Sequence, residues 1–262
     1  YWVAESRLVL AAVFLSLTAL WLKNSLQATR YWRHYLVLGL FNSALPFLLF
    51  AYAAETLSAS LLSIINATAP LWGALIAAGL GRQELDWRRA VGLALGFVGV
   101  GVLVGMDSAV ATSAAAIPVA AALVATFCYG IASTYAATAP SVGSFANARG
   151  SLWASTLMLL PAAFLVTPPT TPSPASLWSL IVLGVVCSGL AYILYFKLIE
   201  DDGATSALSV TFLIPLFGVL WGYLFLDEQV GWHTLAGGML VLGGTALVTG
   251  LLPQALRRRT TP

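Results

Sequence analysis

Asn42, Ser43, Asn66, Trp72, Thr126, Tyr129, Ser188, Tyr192, Thr211 and Trp221 all fall inside long apolar runs of this 262-residue chain. Their chemistry is that of holding rather than reacting. Amide and hydroxyl groups set among Trp and Tyr walls suit a small amphipathic solute. The bland alternative for each is polar packing between helices, worth about 0.6 kcal/mol per pair. Arg7 adds a cation near one end of the first run, and Glu5 stands two residues from it. Residues two apart do not share a helix face. Arg7 is read as a gate or an anion contact, with snorkelling to the interface as the alternative. No nucleophile–base pair and no phosphate loop is visible. His34 and His233 read as loop residues on opposite faces. Cys128 and Cys187 lie in apolar runs, too few to build a zinc site, which takes about four ligands. An enzyme is therefore not expected, nor a metal, nor any other cofactor.

The elements that must position these groups are membrane helices. The chain is 60% hydrophobic and 8% charged, with a mean hydropathy of +0.90. A soluble domain carries roughly 25% charged residues. Apolar runs near the ~20 residues needed to span a bilayer occupy 2–22, 35–54, 57–80, 90–106, 115–135, 148–166, 177–199, 205–226 and 234–251. Backbone groups in hydrocarbon must be satisfied internally, so these runs are expected to be helices. The alternation of a transmembrane barrel is absent. Pro70 and Pro215 sit near the middle of two runs. Each removes an N–H and crowds the carbonyl four residues earlier, at Asn66 and Thr211. A pair of kinks that hinge the gates and offer polar groups is the functional reading. Tolerated kinks, satisfied by neighbouring helices, are the alternative.

Lys23, Arg30, Arg33, Arg82, Arg88, Arg89, Arg149, Lys197 and Arg257–Arg259 fall on one side if the runs alternate strictly. The opposite loops hold Glu55, Asp107, Asp227 and Glu228 and no Lys or Arg. The positive-inside rule then places the C-terminus in the cytoplasm, and a bacterial inner membrane is expected. A net charge of +2 gives no reason to invoke nucleic acid. The expected partners are the lipid bilayer and a small-molecule substrate, with the oligomeric state left open.

Shifting the chain by 145 residues lays 35–105 on 180–250 without a gap. Gly39/Gly184, Ser43/Ser188, Glu55/Glu200, Pro70/Pro215, Gly73/Gly218, Trp87/Trp232, Gly92/Gly237 and Gly99/Gly244 coincide. The charge pattern gives the two copies opposite orientations. Inverted repeats recur in transporters, with the substrate site near the midplane at the repeat interface. The expected fold is an all-α inverted-repeat bundle of nine visible transmembrane helices out of ten, five plus five. The first repeat, lacking its first helix, and the first helix of the second (115–135) fill 1–135; the rest of the second fills 136–262. A helix before Tyr1 would complete the set.

These residues carry a family pattern. Arg7 in an early helix, the run Pro70-Leu-Trp-Gly73 with Glu84 and Trp87, and its second copy Pro215-Leu-Phe-Gly218 with Glu228, Trp232 and Gly237 resemble the EamA-type drug/metabolite transporters. The resemblance covers essentially the whole chain, and YddG-like amino-acid exporters are nearest in type. It implies a ten-helix exporter of amino acids, amines or related metabolites. The visible chain departs from it in lacking the first helix.

Export of amino acids or similar metabolites by alternating access is thus the expected function. A nucleotide-sugar or organic-phosphate carrier is the nearest alternative, but phosphate favours cations at mid-depth and only peripheral Arg7 is visible. A channel or structural membrane protein is the further alternative. No carboxylate is placed near the middle of any run, so downhill transport or exchange is expected rather than proton coupling.

Overall fold

The computed structural model describes residues 1–23, 28–106, 115–139, 142–166, 172–194 and 204–250. Lys197, Glu200, Asp107, Arg257–Arg259 and the side chain of Thr211 lie outside the described residues. Among the described residues the structure is helical, with no strand. The apolar runs become α1 (Trp2–Trp21), α2 (Ala28–Gly39), α3 (Leu45–Ala53), α4 (Ala59–Asn66), α5 (Ala69–Gly79), α6 (Trp87–Met106), α7 (Ala116–Ala136), α8 (Ser144–Leu159), α9 (Pro174–Ile181), α10 (Ala204–Phe225) and α11 (Trp232–Thr249). A π-helical segment, Leu40–Ala44, joins α2 to α3, and a second, Val182–Leu190, continues α9. A short 3-10 turn, Leu160–Phe164, ends α8.

Local chemistry marks the ends. Ser58 and Ser173 accept the amides of Leu61 and Ser176 at 3.2 Å in each case, capping α4 and α9. Asp86 does the same for the Arg89 amide at 2.9 Å at the start of α6. Gly250, at φ 75°, closes α11 in the left-handed conformation that glycine adopts without strain.

Six helical stretches are long and apolar enough to cross a membrane: Trp2–Trp21, Thr29–Ala53, Ala59–Gly79, Trp87–Met106, Ala116–Ala136 and Pro174–Leu194. Phe212–Phe225 is a shorter apolar helix among the described residues. The chain is thus an integral membrane protein with several apolar helices.

The helices form two compact units: Tyr1–Ala51 with Tyr135–Leu208 (unit 1), and Tyr52–Thr134 with Ser209–Pro262 (unit 2). In unit 1, α1 packs on α8 and on the second π segment, and α2 packs on α8. Its core joins Ala4, Leu8, Ala11, Ala12 and Leu15 of α1 to Ala44, Phe47, Leu152 and Leu159. Unit 2 is built on the α6–α11 pair. A Cβ added at Gly92 would lie 2.7 Å from the Gly244 carbonyl oxygen, and one at Gly99 would lie 2.8 Å from that of Gly237. Only glycine permits so close an approach of the two backbones.

The two proline runs differ. The run containing Pro70 is interrupted at Ala67 and Thr68, and α5 begins anew with Pro70 in its first turn, where no N–H is needed. α10 continues through Pro215 as one helix. The helical hydrogen bonding is thus interrupted at the first copy and runs on through the second. His34 also departs from the sequence reading. It lies within α2 rather than in a loop and is buried at 5% exposure.

Candidate functional site

Unit 1 gathers Arg7, Asn42, Ser43, Ser188 and Tyr192 onto three neighbouring helical stretches. Asn42 and Ser43 lie in the first π segment, and Ser188 in the second. π-Helical insertions are rare and recur at functional sites. Within the second, the Ser188 hydroxyl donates to the Leu183 carbonyl five residues back, at 2.9 Å. Tyr192 follows one turn later, and its hydroxyl accepts the Asn42 amide at 3.1 Å. Arg7 comes from α1. Its Nε donates to Ser188 Oγ at 2.6 Å, and its guanidinium carbon lies 3.9 Å from the Phe47 ring centroid.

This geometry explains how a guanidinium is tolerated in an apolar span. The Phe47 face offers a cation–π contact and Ser188 satisfies one N–H. The two terminal NH2 groups make no hydrogen bond among the described residues. A planar fork with unspent donors matches a carboxylate. Ser43 Oγ, completely buried, has no partner among the described residues.

Further residues of unit 1 escaped sequence reasoning. Glu5 is 4% exposed, and neither carboxylate oxygen has a hydrogen-bond partner among the described residues. The Thr156 hydroxyl is likewise buried and unpartnered. His34 bridges α2 to Asn147 (2.8 Å from Nε2) and Tyr135 (3.2 Å from Nδ1). Asn147 Nδ2 donates to the Val142 carbonyl, so its Oδ1 faces the ring and accepts from Nε2–H. The Tyr135 hydroxyl closes the bridge on the Nδ1 side. No local sequence signal links residues so far apart.

Unit 2 holds the other sequence candidates, mostly in fastened pairs. Thr126, fully buried, donates to the Leu123 carbonyl at 2.8 Å, and its Oγ1 lies 3.2 Å from Thr68 Oγ1. Thr68 and Thr245 hydroxyls take the carbonyls of Ile65 and Ala67 at 2.7 and 3.0 Å, beside the break before Pro70. Half-buried Asn66 ends α4 next to that break. Trp72 packs edge-on against Phe97 and Phe127, with ring centroids 4.8 and 5.5 Å away. Its indole N–H is buried and unpartnered among the described residues. Tyr129 is half-buried on α7. Trp221, 49% exposed, sits in an aromatic row with Phe217 and Phe225 on α10. Pro215 is buried.

Glu228 was legible only as a loop charge and a family mark. In the structure it accepts from the amides of Ala59 (2.6 Å) and Ser60 (3.0 Å) and from Ser60 Oγ (2.6 Å). A carboxylate at the positive end of α4 is a favourable placement. Arg82 answers it at the other helix polarity, donating to the Thr134 carbonyl in the last turn of α7 at 3.2 Å.

Comparison with known proteins accords with a transport protein. An uncharacterized transporter of Archaeoglobus fulgidus is 28% identical over 96 residues, 36% of this chain and 33% of that one. The uncharacterized transporter YvbV of Bacillus subtilis is 28% identical over 94% of this chain and 81% of its own length. A Streptantibioticus cattleyicolor protein named "probable terminal-alkyne amino-acid exporter" is 25% identical over 76% of this chain and 67% of its own. A solved crystal structure at 17% identity superposes with a TM-score of 0.67, covering 95% of this chain and 87% of that one, and shares the fold. Residues 1–105 and 116–250 match the EamA-like transporter family. With both stretches matched, the chain belongs to the EamA-like transporter family, whose members are transporters rather than enzymes.

Proposed function

We propose that the chain exports amino acids or related small amphipathic metabolites by alternating access, with the solute carboxylate held by Arg7 in unit 1. The observation that carries this reading is the half-buried Arg7 guanidinium, set against Phe47 and Ser188 with no hydrogen bond from its terminal nitrogens among the described residues. Asn42, Ser43, Ser188 and Tyr192 supply the surrounding hydroxyl and amide groups. A lone guanidinium suits a carboxylate better than a diphosphate, which favours several cations. The name of the S. cattleyicolor relative points the same way.

The inverted repeat belongs to this proposal. Its support is reciprocity of contact. Moving each residue to its counterpart 145 positions away exchanges the Gly92–Gly244 approach with that of Gly99 and Gly237. Likewise, a Cβ at Gly39 would meet Ala154 Cβ and the Ser151 carbonyl, and one at Gly184 would meet Leu10 Cβ and the Arg7 carbonyl. Leu10 and Arg7 lie 144 residues before Ala154 and Ser151. Contacts that exchange in this way are those of a twofold relation. Unit 1 then joins α1 and α2 of one repeat to α8 and α9 of the other, so the Arg7–Ser188 and Asn42–Tyr192 bonds cross between repeats. The nine apolar runs are taken as spans, with 115–135 the first helix of the second repeat and the C-terminus on the cytoplasmic side of a bacterial inner membrane, as the basic residues indicate.

Counterflow of labelled L-amino acids into proteoliposomes, across neutral, aromatic, acidic and basic members, tests the function. Saturable exchange of at least one member is expected. Exchange of phosphorylated solutes with none of the amino acids would favour the organic-phosphate alternative and reject this one.

A further inference from the structure

We propose that Ser188 is a positioning residue of the solute site: by holding the Arg7 Nε it leaves the solute carboxylate only the guanidinium edge formed by the two terminal nitrogens. The inference deepens the transport reading and rests on it. A guanidinium can take a carboxylate on two kinds of edge. One pairs Nε with a terminal nitrogen, and the other pairs the two terminal nitrogens. In unit 1 the Nε is already given to Ser188 Oγ, at 2.6 Å. Phe47 covers one face of the same group, with its ring centroid 3.9 Å from the guanidinium carbon. A carboxylate arriving side-on must therefore displace Ser188. One arriving end-on displaces no hydrogen bond among the described residues.

The second π segment is what makes Ser188 an acceptor. Hydroxyls within an α-helix ordinarily return to a carbonyl three or four residues back. Those of Ser63, Thr126, Ser133 and Ser179 do so. The Ser188 hydroxyl instead donates five residues back, to Leu183 at 2.9 Å, the spacing of π geometry. Its one proton is thereby spent, so toward Arg7 the oxygen accepts. Ser188 is completely buried, and water does not compete for that oxygen. Gly184 and Gly189 let the segment lie directly on α1. A Cβ added at the first would meet Leu10, and one at the second would meet Phe14. The bond to Arg7 is thus made across a close-packed seam.

The matching serine supplies a comparison. Ser43 stands 145 residues before Ser188, in the first π segment, and is equally buried. Its hydroxyl has no partner among the described residues. The residues 144 and 145 positions after Arg7 are Ser151 and Leu152, and neither is a cation. A π segment thus forms without such a bond, and the Arg7–Ser188 contact is not a need of the helix. What it fixes is the cation. The site then holds one anchor of set orientation, and it discriminates by the acid group. An amino acid offers two acceptor oxygens to the outer edge. Its carboxamide offers one, beside an NH2 that cannot accept. In this arrangement Ser188 acts through Arg7 and gives no proton to the solute.

The test compares each exchanged L-amino acid with its carboxamide in counterflow, using the full chain in proteoliposomes. Wild-type protein should prefer the acid by about tenfold or more in half-saturating concentration, as charge-assisted bonding implies. Ser188→Ala should cut that preference by about fivefold, the worth of one hydrogen bond, with the limiting rate little changed. Ser188→Thr, which keeps the hydroxyl, should restore it. In an Arg7→Ala background Ser188→Ala should cost nothing further. A folded Ser188→Ala protein with the wild-type preference overturns the proposal. So does a further loss of affinity in the Arg7→Ala background, which would mean that the hydroxyl meets the solute itself. Arginine-selective NMR of the wild type in detergent, assigned with Arg7→Lys, decides the matter if Ser188→Ala does not fold. The Arg7 Nε–H should exchange slowly with water and hold its position when acetate or a panel amino acid is added, while the terminal nitrogens shift. A rapidly exchanging Nε–H, an Nε that moves with the added carboxylate, or terminal nitrogens that respond to none of these probes overturns the proposal. If no amino acid exchanges, the transport reading fails separately, and the Nε–H and acetate signals still judge the role of Ser188.

Discussion

In unit 2 the hydroxyls of Thr68, Thr126 and Thr245 each take a carbonyl or another hydroxyl, Glu228 fills the amino end of α4, and Arg82 reaches the carboxyl end of α7. In unit 1 the Glu5 carboxyl, the Ser43 and Thr156 hydroxyls and the terminal nitrogens of Arg7 remain without hydrogen-bond partners among the described residues. Buried polar groups are ordinarily satisfied, and exceptions call for a reason. Unit 2 uses most of its polar side chains to fasten helices, including the break before Pro70, and leaves the Trp72 indole N–H unpartnered among the described residues. Unit 1 holds several in reserve for something that arrives. On this view the scaffold and the site of a single transporter are told apart by hydrogen-bond satisfaction rather than by composition, which is much the same in both.

The comparison breaks most visibly at the α6–α11 seam. Gly92→Leu would drive a side chain into the Gly244 carbonyl, and overpacking of this kind costs about 1–3 kcal/mol or more. A sharply reduced yield of folded, monodisperse protein in detergent is expected, whatever the solute. Next comes Arg7→Ala, which should lower counterflow at least tenfold while leaving the thermal midpoint close to wild type. Arg7→Lys should recover part of it, because an ammonium lacks the planar fork. Glu228→Gln should act in the opposite sense. Charge-assisted hydrogen bonds are worth about 1.5–3 kcal/mol, so a lower melting temperature is expected with little change in the half-saturating solute concentration. The smallest effect is that of Thr245→Val, which removes one hydroxyl–carbonyl bond beside the break. A loss of about 1 kcal/mol, read as a modest fall in melting temperature, is expected.

Much of this architecture was legible beforehand. Apolar runs and the helices they form follow from residue type and spacing alone, because in lipid a long apolar run has few ways to satisfy its backbone. Five of the sequence candidates, Arg7, Asn42, Ser43, Ser188 and Tyr192, do fall together on neighbouring stretches of unit 1. What could not be read was partnership. Thr126 and Ser43 look alike as polar residues in apolar runs, yet the Leu123 carbonyl takes the hydroxyl of one and the other has no partner among the described residues. The π segments are equally hidden, because a helix with one extra residue per turn has no composition of its own. Pro70 and Pro215 occupy matching positions, yet only the first copy breaks. At that break the Thr68 hydroxyl donates to the Ile65 carbonyl and that of Thr245, from a distant helix, to the Ala67 carbonyl. The burial of Glu5 was hidden for the same reason: distance from a helix end is a property of one helix, and enclosure is a property of several.

The most direct measurement is paired counterflow and thermal unfolding on Arg7→Ala and Thr245→Val in the same preparation. The account predicts that the first loses exchange at an unaltered melting temperature and that the second melts earlier with its exchange kinetics preserved. The reverse outcome, with exchange intact in Arg7→Ala and lost in a normally stable Thr245→Val, would put the solute in unit 2 and contradict it.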